Sequence, residues 1–240
     1  MASRKDEKER LRKEREERER AEANKAASKR RLQLVAGGVL GIAAVAAVIV
    51  AIVAAAGGGD DSSAAGDGKS AYGKAAIPAR KVTDFDEAIK ASGCTYKNYP
   101  SEGRTHLPSD TATNNSYKTN PPTSGNHRPT PAADGVYAPE NTPDKENYVH
   151  TLEHGRIELQ YAPNAPQQVK DQLNTLFNEK NKGVEGYHMV LFQNNTQMPY
   201  EVAATAWTNL IGCKTVNDKT WDALRAFRDR FTDKGPELIP

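Results

Sequence analysis

The sequence predicts a small α+β domain, with a short mixed or antiparallel sheet and a long ordered loop, carried outside a membrane on a single N-terminal transmembrane helix. Three observations predict it: charge is segregated along the chain, one long stretch has none, and short strand-like and helix-like patterns are confined to the C-terminal part. Residues 1–31 hold 13 Lys/Arg and 8 Asp/Glu, a formal +5, while residues 60–240 carry a formal −3. The whole-chain value of +2 therefore describes neither part.

Residues 1–31 form a charged tail rich in Glu, Arg, Lys and Ala, all good helix formers, with pairs such as Glu14–Arg18 spaced i, i+4. The tail has no a/d apolar seam, so it reads as a solvated segment rather than a coiled coil. Lys29, Arg30 and Arg31 abut the apolar run, where they would meet anionic headgroups. Residues 32–56 are the expected transmembrane helix. Within them Leu34–Ala56 is 23 residues without a charge, enough at about 1.5 Å per residue to span the hydrocarbon core with some tilt. Gly37 and Gly41 make a small-xxx-small pair, a weak signal for helix association. Eight Lys/Arg between Lys13 and Arg31, against Lys69 and Lys74 on the other side, place the N-terminus in the cytoplasm and the rest outside the cell membrane. The apolar run is longer than a signal-peptide core, so an uncleaved anchor is expected. Residues 57–76, rich in Gly, Ser, Ala and Asp, read as a flexible tether.

The extracytoplasmic domain is expected over 77–240. Its two cysteines, Cys94 and Cys213, are far apart and lie in an oxidising compartment, so they should pair. Thr83–Gly93 reads as a short helix with Thr83 as N-cap and Gly93 as its stop. Cys94–Pro143 has no sustained periodicity and is dense in Pro, Asn, Thr, Ser and Gly, yet carries His106, His127, Tyr117 and Tyr137, which suits a long ordered loop. Ile157, Leu159 and Tyr161 alternate with Glu158 and Gln160, a half-buried strand ended by Pro163. Asn164–Asn181 reads as a helix with Val169, Leu173, Leu176 and Phe177 on one face. Tyr187–Phe192 and Glu201–Trp207 are strand candidates joined as a hairpin through Asn194–Pro199, and Asn217–Lys234 is a last helix with Trp221, Leu224 and Phe227 buried and Gly235 as its stop.

The chemistry gathers between Thr119 and Tyr161. His150-Thr-Leu-Glu-His154 has the H-x-x-E-H pattern of inverted zinc proteases. That chemistry needs both histidines on one helix face and Glu153 as general base for a metal-bound water. Gly155 and the strand after it point instead to a turn entering a strand, where His150 and His154 would stand too far apart to share an ion. A metal site without proteolysis is the better reading: His127, His150, His154 and Glu153, with His106, converging on one zinc or copper ion, and His188-Met189 able to add a soft ligand. The competing reading is structural, since histidines and Glu153 can also satisfy the backbone of a packed loop, and Met189 suits a strand core. A metal-dependent hydrolase using Glu153 as base is the alternative activity. The slight acidity and the lack of basic-aromatic patterning argue against nucleic acid as a partner. Membrane lipid, through the anchor, is the one partner the sequence indicates.

Pro121-Pro-Thr-Ser-Gly-Asn-His127, Gly135-Val-Tyr137, Val149-His-Thr-Leu-Glu-His-Gly155, Ala204-Thr-Ala-Trp207 and Gly235-Pro-Glu237 occur in an order that resembles the bacterial family known as domain of unknown function 3105. The resemblance covers about residues 80–240. It implies a membrane-bound or exported protein with this domain outside, and it implies that His106, His127, His150, Glu153 and His154 belong to one shared pattern. It brings no established activity. Thr208 stands where Gly commonly follows the Ala-Trp pair.

Overall fold

A computed structural model describes residues 71–237 and Ile239. The charged tail, the apolar segment 32–56 and most of the tether lie outside the described residues. Among the described residues no helix is long and apolar enough to cross a membrane.

Three helices pack on one face of a six-stranded mixed sheet of order β1-β8-β7-β3-β6-β2, and a fourth helix with the long loop covers the other. Helix α1 (Phe85–Ser92) leads into β1 (Thr95–Asn98); after the loop come β2 (Gly135–Val136), a short 3-10 turn and α2 (Lys145–Glu153). Strand β3 (Ile157–Tyr161), α3 (Gln167–Phe177), a small hairpin of β4 (Lys180–Asn181) and β5 (Val184–Glu185), and β6 (Met189–Gln193) follow. The chain ends with β7 (Val202–Ala206), β8 (Asn209–Cys213) and α4 (Thr220–Phe231).

The helix cores follow their apolar stripes. Val169, Leu173, Leu176 and Phe177 of α3, and Trp221, Leu224 and Phe227 of α4, join Ile157, Leu159, Tyr161, Met189 and Leu191 in one cluster. Some boundaries move. The cap of α1 is Asp84, which accepts from the Glu87 backbone, not Thr83. Pro166 precedes α3, so Asn164 is not its cap. Helix α4 stops at Thr232, three residues before Gly235. The packed chain also begins before Ile77. Tyr72 is buried, its hydroxyl bonded to that of Tyr161 and to the Tyr137 carbonyl, and Ala75 and Ala76 accept from Thr175 and Gln172.

The sheet differs most from expectation. Strands β6 and β7 are not a hairpin: β3 lies between them, parallel to β6 and antiparallel to β7. With α3 between them, β3 and β6 form a parallel crossover unit, which needs a long connection. The hairpin is β7–β8, turning at Trp207 and Thr208, where Thr208 takes a φ of 62°. Strand β3 is buried along its whole length rather than half-buried. Glu158 and Gln160 face α2 and the loop, and both are fully buried. Cys94 and Cys213 form the expected disulfide, which ties the end of α1 to β8.

Candidate metal centre

Helix α2 carries half of the site. It is buried on both sides, against the sheet through Tyr148 and Val149 and against the loop through Glu146, His150 and Glu153. The expected turn entering a strand is therefore corrected to a helix that reaches Glu153. His150, Glu153 and His154 are spaced i, i+3 and i, i+4, so one face presents all three. Gly155, at φ 78°, then reverses the chain into β3. The Nε2 atoms of His150 and His154 lie 2.9 Å apart.

The loop supplies the other half. Residues 103–107 run beside 125–127, with a parallel bridge between His106 and His127. Arg128 pins this layer to α2: Nε donates to the Ala112 carbonyl at 2.8 Å, and the guanidinium reaches Asp144 at 2.5 Å and the Asn147 side chain at 3.0 Å. Asn114 bonds Glu146 and the Asn126 carbonyl. Polar side chains do satisfy the loop backbone, as the structural reading requires: Arg128, Asn114 and Asn126 bond loop backbone atoms, and so do His127 and His150 through Nδ1. Trp207 closes the back of His127, ring edge to face at 6.2 Å.

The histidine tautomers follow from their partners. Nδ1 of His127 lies 2.8 Å from the Gly125 carbonyl, and Nδ1 of His150 lies 2.7 Å from the Arg128 carbonyl. A carbonyl only accepts, so each Nδ1 carries the proton and each Nε2 of the neutral ring presents a lone pair. Fully buried Nε2 of His127 is 2.9 Å from Oε2 of Glu153, off the line of a hydrogen bond, and has no hydrogen-bond partner. One potential ligand atom from each of His106, His127, His150 and Glu153 falls within 4.8 Å of the others. His150, His154 and Glu237 form a second group, whose ligand atoms also lie within 4.8 Å of one another. Burial lowers the pKa values of His127 and His150, and burial with the adjoining His150 takes His154 down to about 4. Burial, then the nearby Glu237, raises that of Glu153.

All five expected site residues thus come together, in two overlapping groups rather than one. His188 and Met189 do not join them: His188 bonds Asp233 at 2.5 Å and Met189 is a core residue of β6. Glu237 is the site residue that sequence reasoning missed. Its only local signal is its place in the Gly235-Pro-Glu237 ending, and the tertiary fold brings it to within 3.5 Å of His154 Nε2.

The fold and site define an α+β domain with a mixed sheet and a largely buried cluster of imidazoles and carboxylates, in which carbonyls orient the rings of His127 and His150. The family model described as "Protein of unknown function (DUF3105)" matches residues 109–238, more than half of the chain, so the chain belongs to that family. The matched span holds every residue of the two groups except His106, which lies just before it. No curated protein and no solved structure matches the chain.

Proposed function

We propose that this is a metal-binding module of the outer face of a membrane, held there by segment 32–56, which takes a zinc or copper(II) ion between His106, His127, His150 and Glu153. The observation that carries the reading is the His127–Glu153 contact. A lone pair and a carboxylate oxygen face each other at 2.9 Å in a buried site without a hydrogen bond. One proton relieves one such pair, whereas a cation satisfies all four groups at once. Ligands about 2.0–2.1 Å from a tetrahedral zinc stand about 3.3 Å apart, against 2.9 Å between His127 and Glu153 and no more than 4.8 Å across the whole group. The Nδ1-to-carbonyl bonds of His127 and His150 are the outer contacts that fix a ligand ring. Without a thiolate or thioether in the group, the donor set suits zinc(II) or copper(II) rather than copper(I). Glu153 is 4% exposed and faces His127, which supports a ligand rather than a base open to substrate, and so favours binding over hydrolysis.

Elemental analysis of the full-length chain, purified in mild detergent without chelator, tests the reading. The expected result is a stoichiometric ion that is lost in His127→Ala and Glu153→Ala, with the circular dichroism of the wild type retained. A wild-type chain that holds neither zinc nor copper after reconstitution and desalting would refute it. Alkaline extraction tests the anchor: the chain should stay with the membrane pellet, and its release would refute that part.

A further inference from the structure

We infer that His154 and Glu237 form an outer port through which the ion reaches the buried group, with His150 as the pivot shared by both positions. The inference rests on the metal reading above and deepens it. Both groups include His150. Its Nδ1 is held by the Arg128 carbonyl, so the ring has a single lone pair, on Nε2, to offer. Two ions cannot share that lone pair, so the two positions are alternatives for a single ion rather than a binuclear centre.

The two carboxylates differ most: Glu153 is at 5% exposure, beside His127 at 0% and with His106 as the exposed member of the inner group, whereas the carboxylate arm of Glu237 is 49% exposed. The C-terminal segment carries that arm across the end of α2. Asp233 donates its backbone N–H to the Gly155 carbonyl at 2.8 Å, Glu237 donates to the Glu153 carbonyl at 3.1 Å, and Arg156 holds the Ile239 carbonyl at 2.6 Å. Glu237 therefore hangs from the backbone of an inner ligand, with its carboxylate 3.5 Å from His154 Nε2. An ion captured there by Glu237, His154 and His150 exchanges the first two for His127, His106 and Glu153 without leaving His150. No covalent bond or redox change is involved, only replacement of lone-pair donors.

Stopped-flow uptake of cobalt(II) by the full-length apo chain, read by its visible ligand-field bands, tests the inference. Glu237→Ala should slow both uptake and release by about ten-fold, and Glu237→Lys should slow uptake further, in line with local steering of a cation by an acidic port. Bound cobalt at saturation should remain one per chain. Glu185→Ala, which removes an exposed carboxylate on β5, should leave the rates unaltered. Uptake as fast in Glu237→Ala as in the wild type overturns the port, as does equal slowing by Glu185→Ala. Two cobalt ions per wild-type chain overturns the exclusive pivot. A wild-type chain that takes up no cobalt, zinc or copper instead brings down the metal reading itself, and the port with it.

Discussion

Replacing Glu158 with Gln should stabilise the domain, and only above acidic pH. Glu158 sits in the middle strand with no exposed surface, its Oε2 accepting from Thr205 at 2.6 Å and from Gln160 at 3.0 Å, while Oε1 has no partner. Among the described residues no cation contributes to its charge balance, and the Tyr148 hydroxyl is another buried group without a partner. Burial therefore raises the Glu158 pKa well above its ordinary 4.5, more than its two hydrogen bonds lower it. A carboxyl whose value is raised on folding leaves the fold most stable below the unfolded value and loses stability as pH rises toward the folded value. At about 1.36 kcal/mol per unit, keeping the proton on at pH 7 costs at most about 3.4 kcal/mol relative to an unfolded chain that titrates at 4.5. Glutamine keeps an acceptor for Thr205 and Gln160 and needs no proton. Urea unfolding followed by the fluorescence of Trp207 and Trp221, with chelator present at every pH, gives the measurement. Glu158→Gln should exceed the wild type by about 1–3 kcal/mol at pH 7 and match it within about 0.5 kcal/mol below pH 4.5. A gap that is flat with pH, or a variant weaker at pH 7 than at pH 4.5 relative to wild type, would refute the reasoning.

Two structural predictions stand beside the metal-content and cobalt-uptake measurements. The disulfide closes a loop with a sequence separation of 119, which the chain-entropy model values at about 5 kcal/mol, so the Cys94→Ser/Cys213→Ser double variant should lose about 3–5 kcal/mol in urea unfolding; a loss under about 1 kcal/mol would show that the unfolded chain is not constrained as supposed. At Gly155 a Cβ would lie 2.9 Å from both the Asp233 Cα and the Gly235 nitrogen, with φ already at 78°, so Gly155→Ala should cost about 1–3 kcal/mol. It should also speed amide exchange at Asp233 and Glu237, which bond the Gly155 and Glu153 carbonyls; protection equal to wild type at both would show that the C-terminal segment is held from elsewhere.

Residue patterns alone determined the features that depend on near neighbours. The stripes of α3 and α4 lie on one helix face each, a spacing of three and four residues that survives any tertiary arrangement, and two cysteines in one domain leave a single possible intrachain pairing. His127, His150, Glu153 and His154 stood out because so many ligand types fall in a short span of sequence. Only the tertiary structure decided the rest. Strand order is a matter of non-local pairing, so nothing within Met189–Gln193 or Val202–Ala206 records that β3 lies between them. Alternation in β3 was read as one wet face because Glu158 and Gln160 are polar, but α2 and the loop cover that face and the polar pair bonds internally. Helix α2 hid for a related reason: packed on both sides, it needs no polar face, so Lys145–Glu153 carries no clean helical stripe. That hidden helix turns His150 and His154 toward each other, and the C-terminal segment brings Glu237 to them across the fold. The residue types were local information; the distances between them were not.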